Sequence, residues 1–244
     1  VTYIGYLLIH FAYTPPDRHP TMDSETLQSF GERAVLAGEH TCEPPPRDGA
    51  PRWPLSIVMM PPPDAAETVS ALTRTAMELA GSHHLRSGDA GYAHITVRAL
   101  ENRRRVASDD PFAIRCAAAL DRACSKYPPL SMRLGRVVVT PGGVLATLSP
   151  TSLDADRFRG YAIGEELGVD AFREGVVSSR DLWYVSLLHF RGRINRPDEL
   201  VAWTRHRLAP AVWTFHTASI CTYHVTETAM RPNIIHTTSF AHAS

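Results

Sequence analysis

The sequence predicts an α+β protein in which residues 54–244 form a single domain with two lobes. Strand-length apolar runs alternate with helical patterns along this part of the chain, and a turn joins two strands near its middle. The second half repeats the order of the first half in outline. Mixed strands and helices of this kind are typical of α+β folds. We expect lobes at approximately 54–130 and 131–244, between which strands can be exchanged.

The composition favours a folded protein with small partners. Of the 244 residues, 44% are hydrophobic and 20% charged, which excludes an intrinsically disordered chain. Lys and Arg together number 25, as do Asp and Glu, and this balance disfavours a long nucleic acid as partner. No apolar run of about 18 residues occurs, so no membrane-spanning helix is expected. The four scattered cysteines lack metal-ligand spacing and are expected to be reduced thiols in a cytoplasmic, bacterial protein.

Residues 1–53 are expected to form an N-terminal strand and a proline-rich extension. The apolar stretch Tyr3–Tyr13 lacks the basic start and cleavage site of a signal peptide, and its Tyr and Ile content favours a strand. Residues 14–53 contain seven prolines, which predicts irregular structure interrupted by one amphipathic helix, Ser24–Ala37, with Ser24 as its cap.

The remaining elements are assigned from apolar periodicity, capping residues and turn residues. The expected strands are Leu55–Met60, Ala93–Leu100, Leu182–Phe190, Thr214–Thr226 and Ile234–Ala241, with a hairpin of Arg133–Thr140 and Val144–Ser149 around Pro141-Gly142-Gly143. The expected helices are Asp64–Ala80 with Asp64 as cap, Pro111–Lys126, a helix from Ser152 or Asp154 to Leu167 stopped by Gly168, and Pro197–Leu208.

Several common catalytic patterns are missing from the sequence. None of the 12 histidines fits a chelating spacing on one element, so no metal or other cofactor is expected. The phosphate-binding glycine loops and the nucleophile elbow are also missing. The basic run Arg103-Arg104-Arg105 is most simply a solvated loop, and its position after the Ala93–Leu100 strand also keeps it available to an anionic ligand.

The most informative segment runs from Tyr92 to Arg98. Because side chains alternate along a strand, Tyr92, His94, Thr96 and Arg98 share one face. A histidine, a hydroxyl and a guanidinium in one row can bind the oxygens of a phosphate, and the histidine can act as a general acid or base. An ordinary surface strand has the same polar alternation, so spacing alone does not decide between the two.

His94-Ile95-Thr96-Val97 resembles the histidine–hydroxyl motif of the two-histidine phosphoesterase superfamily, which includes RNA ligase-like proteins and cyclic nucleotide phosphodiesterases. The resemblance covers roughly residues 54–226. It implies a bilobal fold of two antiparallel sheet lobes with outer helices, and two such motifs facing each other across a central cleft. In that family one histidine is the general base and the other the general acid on a 2′,3′-cyclic or 2′,5′ phosphodiester. The paired hydroxyls hold the phosphate, and no metal is needed.

The second motif is expected at Tyr184-Val185-Ser186-Leu187, where Ser186 fits the hydroxyl position and Tyr184 stands in place of the histidine. Tyrosine has an unperturbed pKa of about 10, so it is a poor base at neutral pH but can donate a proton or a hydrogen bond. The resemblance therefore implies His94 and Tyr184 as catalytic residues. Thr96 and Ser186 would bind the phosphate, with Arg98 and Tyr92 as further substrate contacts.

Two more histidines lie on strands near the expected cleft. Alternation places His189 on the face opposite to Tyr184, which favours a core or interface histidine unless a β-bulge reverses the parity. His224 shares a face with Thr226 on a later strand and is a candidate contributor to the edge of the cleft.

Three functions follow from these residues. The first is a metal-independent phosphoesterase acting on a cyclic or 2′,5′ phosphodiester of a small, nucleotide-like anionic substrate. The second reuses the cleft for non-hydrolytic proton transfer on a small molecule, as an isomerase, cyclase or lyase, because one fold hosts different chemistries. The third is a non-catalytic anion-binding protein.

Overall fold

The computed structural model describes residues 23–167 and 182–241, with the backbone alone for residues 161–163. The predicted strand Tyr3–Tyr13 and the stop residue Gly168 therefore lie outside the described residues. The strands are β1 (Ser56–Met59), β2 (Leu85–Arg86), β3 (Ile95–Ala99), β4 (Leu130–Thr140), β5 (Gly143–Pro150), β6 (Trp183–His189), β7 (Val212–Phe215), β8 (Thr217–Val225) and β9 (Met230–Ser239). The helices are α1 (Ser24–Leu36), α2 (Pro63–Ala80), α3 (Pro111–Cys124), α4 (Asp154–Arg157), α5 (Ile163–Leu167) and α6 (Pro197–Thr204), with a π-helical turn at Phe158–Ala162 between α4 and α5.

The nine strands form one sheet in the order β7-β4-β5-β6-β3-β1-β8-β9, and β2 pairs with β6 beside this path. Each strand pairing is antiparallel. Only His216 separates β7 from β8, although the two strands stand near opposite ends of the order. The sheet must therefore curl back on itself, and it does so as a half-barrel. The predicted α+β class is confirmed, and strands of both sequence halves meet at the β3–β6 pairing.

Three local predictions need correction. The strand predicted over Thr214–Thr226 is two strands, because its first part pairs with β4 and its second with β1. Helix α1 is capped by Asp23, whose carboxylate accepts from the Thr26 amide, so Ser24 is its first helical residue and not its cap. Asp64 does not cap α2 either, since the cap position holds Pro62 and Asp64 lies in the first turn, where the helix dipole favours a carboxylate.

The two faces of the sheet are covered differently. The helices pack on one face and bury the main core, which includes Ile57, Ile95, Val97 and Val185. A smaller apolar cluster covers the other face and consists of Trp53, Val58, Leu85, Cys221, Tyr223 and Met230. We call this second face the cleft face. Within the described part of the chain, no helix is both long and apolar enough to cross a membrane.

The extension reaches the cleft face after passing the β4–β5 turn. Thr41 donates its amide to the Pro141 carbonyl at 2.7 Å, and Glu43 donates its amide to the Phe190 carbonyl at 2.6 Å. The chain then brings Trp53 into the apolar cluster just before β1 begins. Thr41 and Glu43 thus attach the extension to the sheet by hydrogen bonds, and Trp53 at its end packs on the cleft face.

Candidate active site

The pairing of β3 with β6 brings the two predicted motifs together. Ile95 lies opposite Val185 in an antiparallel register. Because the two strands run in opposite directions, the residue before Ile95 lies beside the residue after Val185, and the reverse. His94 is therefore beside Ser186, and Thr96 is beside Tyr184. Both pairs lie on the face away from the main core, since Ile95 and Val185 face that core.

The exposure pattern agrees with this arrangement. Thr96, Tyr184 and Ser186 are half-buried, whereas the residues that alternate with them are buried. His94 immediately precedes β3 and is 7% exposed. Its Nδ1 lies 2.8 Å from the Tyr92 carbonyl oxygen. Because a carbonyl can only accept, Nδ1 carries the proton in this contact, and Nε2 of the neutral ring holds the lone pair.

Tyr223 on β8 joins the motif residues to the apolar cluster. Its ring centroid lies 5.5 Å from that of His94. Burial raises the pKa of its hydroxyl well above the usual range. Tyr223 therefore stays neutral, and its ring packs beside that of His94. The sequence offered no signal for this role, because β8 is distant from the motifs in the chain.

The remaining predicted contacts sit at the ends of the motif strand. The Arg98 guanidinium donates to the Arg159 carbonyl at 2.8 Å, so it also connects β3 to the π-helical turn. Tyr92 is half-buried, and the Arg231 guanidinium lies over its ring at 4.5 Å from the centroid. Arg231, which the sequence did not single out, thus places a positive charge near the start of the motif.

A β-bulge in β6 changes the position of His189. The register between β5 and β6 shifts after the Val144–Leu188 pair, so Leu187 is an extra residue on β6. Leu187 and Leu188 both face the main core, and His189 consequently returns to the cleft face. Its pairing with Leu85 of the apolar cluster agrees with this placement. The orientation that strict alternation predicts for His189 is therefore wrong, and the alternative left open, a β-bulge that reverses the parity, is the one found.

His189 has an ordered set of neighbours from the extension. The Arg52 guanidinium lies 3.2 Å from Nδ1 of His189 and binds Glu43 through three contacts between 2.6 and 3.1 Å. Burial is the main cause that holds the pKa of His189 well below its usual value, and charge repulsion from Arg52, from His94 when that ring is protonated, and from Arg191 adds to it.

Trp53 covers His189 from the cleft side. The two ring centroids are 4.9 Å apart and the rings are nearly perpendicular, at 86°. Trp53 also contacts Tyr223, with 5.7 Å between centroids, and the Arg52 guanidinium lies over its ring at 4.4 Å. The cleft face thus carries two histidines, the aromatic rings of Trp53 and Tyr223, and the Arg52–Glu43 ion pair from the extension.

Other candidates lie elsewhere. His224 is exposed and alternates with Tyr223, so it faces away from the cleft, and its proposed contribution to the cleft edge is wrong. Among the described residues, no group of three His, Cys, Asp or Glu side chains could hold a metal ion. A surface depression of about 530 Å³ near α2 and β2 contains none of the predicted site residues; it is lined by Ser70, Thr73, Arg74, Met77, Ser82, Arg86, Asp89 and Thr228.

Comparison with known proteins defines the fold. No protein-family model matches the chain, and no curated protein matches it in sequence. TT0787 of Thermus thermophilus superposes with a TM-score of 0.57 at 12% identity, over 78% of this chain and 99% of that one. The chain has a two-histidine phosphoesterase-like fold.

Two further solved structures accompany this match. One is described as a phosphoesterase and has a TM-score of 0.45 at 12% identity, over 78% of this chain and 98% of that one. The other, LigT of E. coli with 3′-AMP, has a TM-score of 0.46 at 11% identity, over 77% of this chain and 97% of that one. Within the two-histidine phosphoesterase-like fold, the predicted motifs of this chain occupy two adjacent central strands, β3 and β6.

Proposed function

We propose that the protein is a metal-independent phosphoesterase that hydrolyses a cyclic or 2′,5′ phosphodiester of a small, nucleotide-like substrate. The observation that carries this proposal is the His94 contact, in which Nδ1 donates to the Tyr92 carbonyl and leaves Nε2 as the basic atom. The neighbouring hydroxyls of Thr96, Tyr184 and Ser186 supply donors for a phosphate on the same face.

The proposed reaction uses one base and one donor. His94 Nε2 takes a proton from water while the water oxygen forms a bond to phosphorus. The bond from phosphorus to the ester oxygen breaks, and the departing oxygen receives a proton from the Tyr184 hydroxyl. Thr96 and Ser186 donate hydrogen bonds to the non-bridging oxygens, whose charge grows in the transition state. Water then restores the tyrosine proton, and the proton on His94 returns to solvent.

The test compares the wild type with His94→Ala on 2′,3′-cyclic nucleotides and 2′,5′-linked dinucleotides, without added metal and with EDTA. Loss of a general base lowers kcat/KM by about 100- to 10,000-fold. His224→Ala is the matched control, because this exposed histidine faces away from the cleft and its removal leaves turnover unchanged. Turnover that persists in His94→Ala, or that EDTA abolishes, would contradict the proposal.

A second candidate function is proton transfer on a small molecule without hydrolysis, as in an isomerase, cyclase or lyase. Two observations favour it: Tyr184 stands where the resembling family has its second histidine, and an apolar cluster that includes Trp53, Val58 and Met230 covers the cleft face. Absence of turnover on every phosphodiester would favour this candidate if proton exchange of a bound small molecule depends on His94. Ligand binding that survives His94→Ala with no reaction would instead indicate a non-catalytic binding protein.

A further inference from the structure

Two rings in contact on the cleft face each have a buried nitrogen atom with no acceptor among the described residues. They are Nε1 of Trp53 and Nε2 of His189. The side chains are 7% and 8% exposed, and their ring centroids are 4.9 Å apart. Neither residue belongs to the predicted motifs. Buried polar groups are normally paired, so two unpaired atoms on touching rings require an explanation.

Both atoms are hydrogen-bond donors. The indole nitrogen of Trp53 can only donate. Nδ1 of His189 faces the Arg52 guanidinium at 3.2 Å, and because a guanidinium also only donates, Nδ1 is the acceptor there. The neutral imidazole therefore carries its proton on Nε2. The ion pair between Arg52 and Glu43 fixes the guanidinium and, through it, this tautomer.

The backbone of Trp53 is strained at the same place. Its φ is 58°, in the left-handed region that bulky residues rarely adopt, and Trp53 is the one non-glycine residue with positive φ in the described chain. Strained conformations of this type cluster at ligand sites, where surrounding contacts hold them. Because both nitrogens are buried, a ligand reaches them only if the Trp53 side chain moves.

We propose that Trp53 and His189 form a donor pair that binds an anionic phosphoryl oxygen of the ligand, next to the His94 site. Phosphoryl groups fit because they offer several acceptor oxygens to two separate N–H donors. The fixed positive charges near His189 are those of Arg52 and Arg191, and Glu43 neutralises the first, so their sum is positive and favours an anion. His189 acts here as a neutral donor and holds the ligand without transferring a proton. The choice of a phosphoryl ligand rests on the proposed function, whereas the donor pair rests on the geometry.

The experiment is a titration of the full-length protein, labelled with nitrogen-15, with inorganic phosphate. Resonances of the Trp53 indole and the His189 imidazole are assigned by their loss in Trp53→Phe and His189→Phe. Phosphate is expected to shift both N–H signals downfield in a saturable way. This measurement uses the wild type, so it stands even if a variant folds poorly, and absence of a shift at both sites overturns the donor pair.

The variants then measure the contribution of each donor. Trp53→Phe and His189→Phe keep a ring but remove the N–H, and each is expected to weaken phosphate binding by about ten- to a hundredfold, as for hydrogen bonds to charged groups. Trp213→Phe is the matched control, because this indole is also buried but lies on β7. Equal affinity in all three variants contradicts the proposal.

The outcomes also separate this inference from the proposed function. Phosphate binding that requires both donors, without turnover of any phosphodiester, supports the donor pair and removes the phosphoesterase. Turnover that depends on His94 but is unchanged in Trp53→Phe and His189→Phe removes the donor pair alone.

Discussion

Gly143→Ala tests whether close backbone approach shapes the bulge that carries His189. A Cβ atom at Gly143 would lie 2.2 Å from the Leu188 carbonyl oxygen and 3.1 Å from the His189 Cα. The first distance is far inside van der Waals contact and involves backbone, which cannot rotate out of the way. Either β5 or the bulged end of β6 must therefore shift.

Overpacking of this kind costs about 1–3 kcal/mol of unfolding free energy. In a protein of this size, each kcal/mol shifts Tm by about 2–4 °C, so Gly143→Ala is expected to lower Tm by about 2–12 °C. Thermal unfolding followed by circular dichroism measures this change. Displacement of β6 should also move the His189 imidazole resonance in the folded protein, since that residue pairs with Gly143.

The neighbouring Gly142→Ala is the matched control. A Cβ at Gly142 meets only the Thr41 hydroxyl, at 3.4 Å, which is ordinary contact. Because alanine also restricts the unfolded chain, this substitution is expected to leave stability unchanged or raise it by up to about 1 kcal/mol. Equal Tm changes in the two variants would refute the argument that Gly143 is required for close approach to the bulge.

Three further predictions concern chemistry, packing and pH. Tyr184→His supplies the second motif with the histidine that the resembling family has there and is expected to raise hydrolysis of a 2′,3′-cyclic nucleotide at least about tenfold; unchanged turnover would argue against phosphoester chemistry. Gln28→Leu removes the acceptor of the buried Val139 amide at 2.9 Å and is expected to cost about 1–3 kcal/mol, measured by urea unfolding, whereas a loss below about 0.5 kcal/mol would contradict this role. Burial lowers the pKa of His84 to about 4 and that of His189 well below 6.5, so the unfolded chain binds protons that the folded chain does not. Stability is therefore full above about pH 6.5 and falls as the pH decreases, by up to about 1.4 kcal/mol per pH unit for each histidine; a flat profile between about pH 7 and 5 would exclude this linkage.

The sequence was sufficient for features that depend on local pattern. Alternation correctly placed Thr96 and Ser186 on the face away from the core, because the apolar residues between them fix the orientation of each strand. The α+β class followed in the same way from apolar runs and helical periodicity. The catalytic and binding roles assigned to these residues stay predictions, as does the division at residue 54.

Features that depend on the partner strand could not be predicted. Whether His189 faces the cleft depends on a bulge, and the bulge is defined by the register with β5 and not by the β6 sequence. The break at His216 has the same origin, because the residues on both sides are strand formers and differ only in the strand they pair with. The contacts of Arg52 and Trp53 with the cleft face could not be predicted for another reason: nothing in the sequence of a proline-rich segment indicates which surface it will contact.

The strand order also determines when the protein can complete its fold during synthesis. Strand β1 pairs on one side with β3 and on the other with β8, which begins at Thr217, about 160 residues after Met59. At translation rates of roughly 5–20 residues per second, that side of β1 waits roughly 8–30 s for its partner. During this interval an apolar strand edge is available to other chains, and such edges promote aggregation. Folding yield in cells should therefore depend on chaperones that bind the nascent N-terminal half.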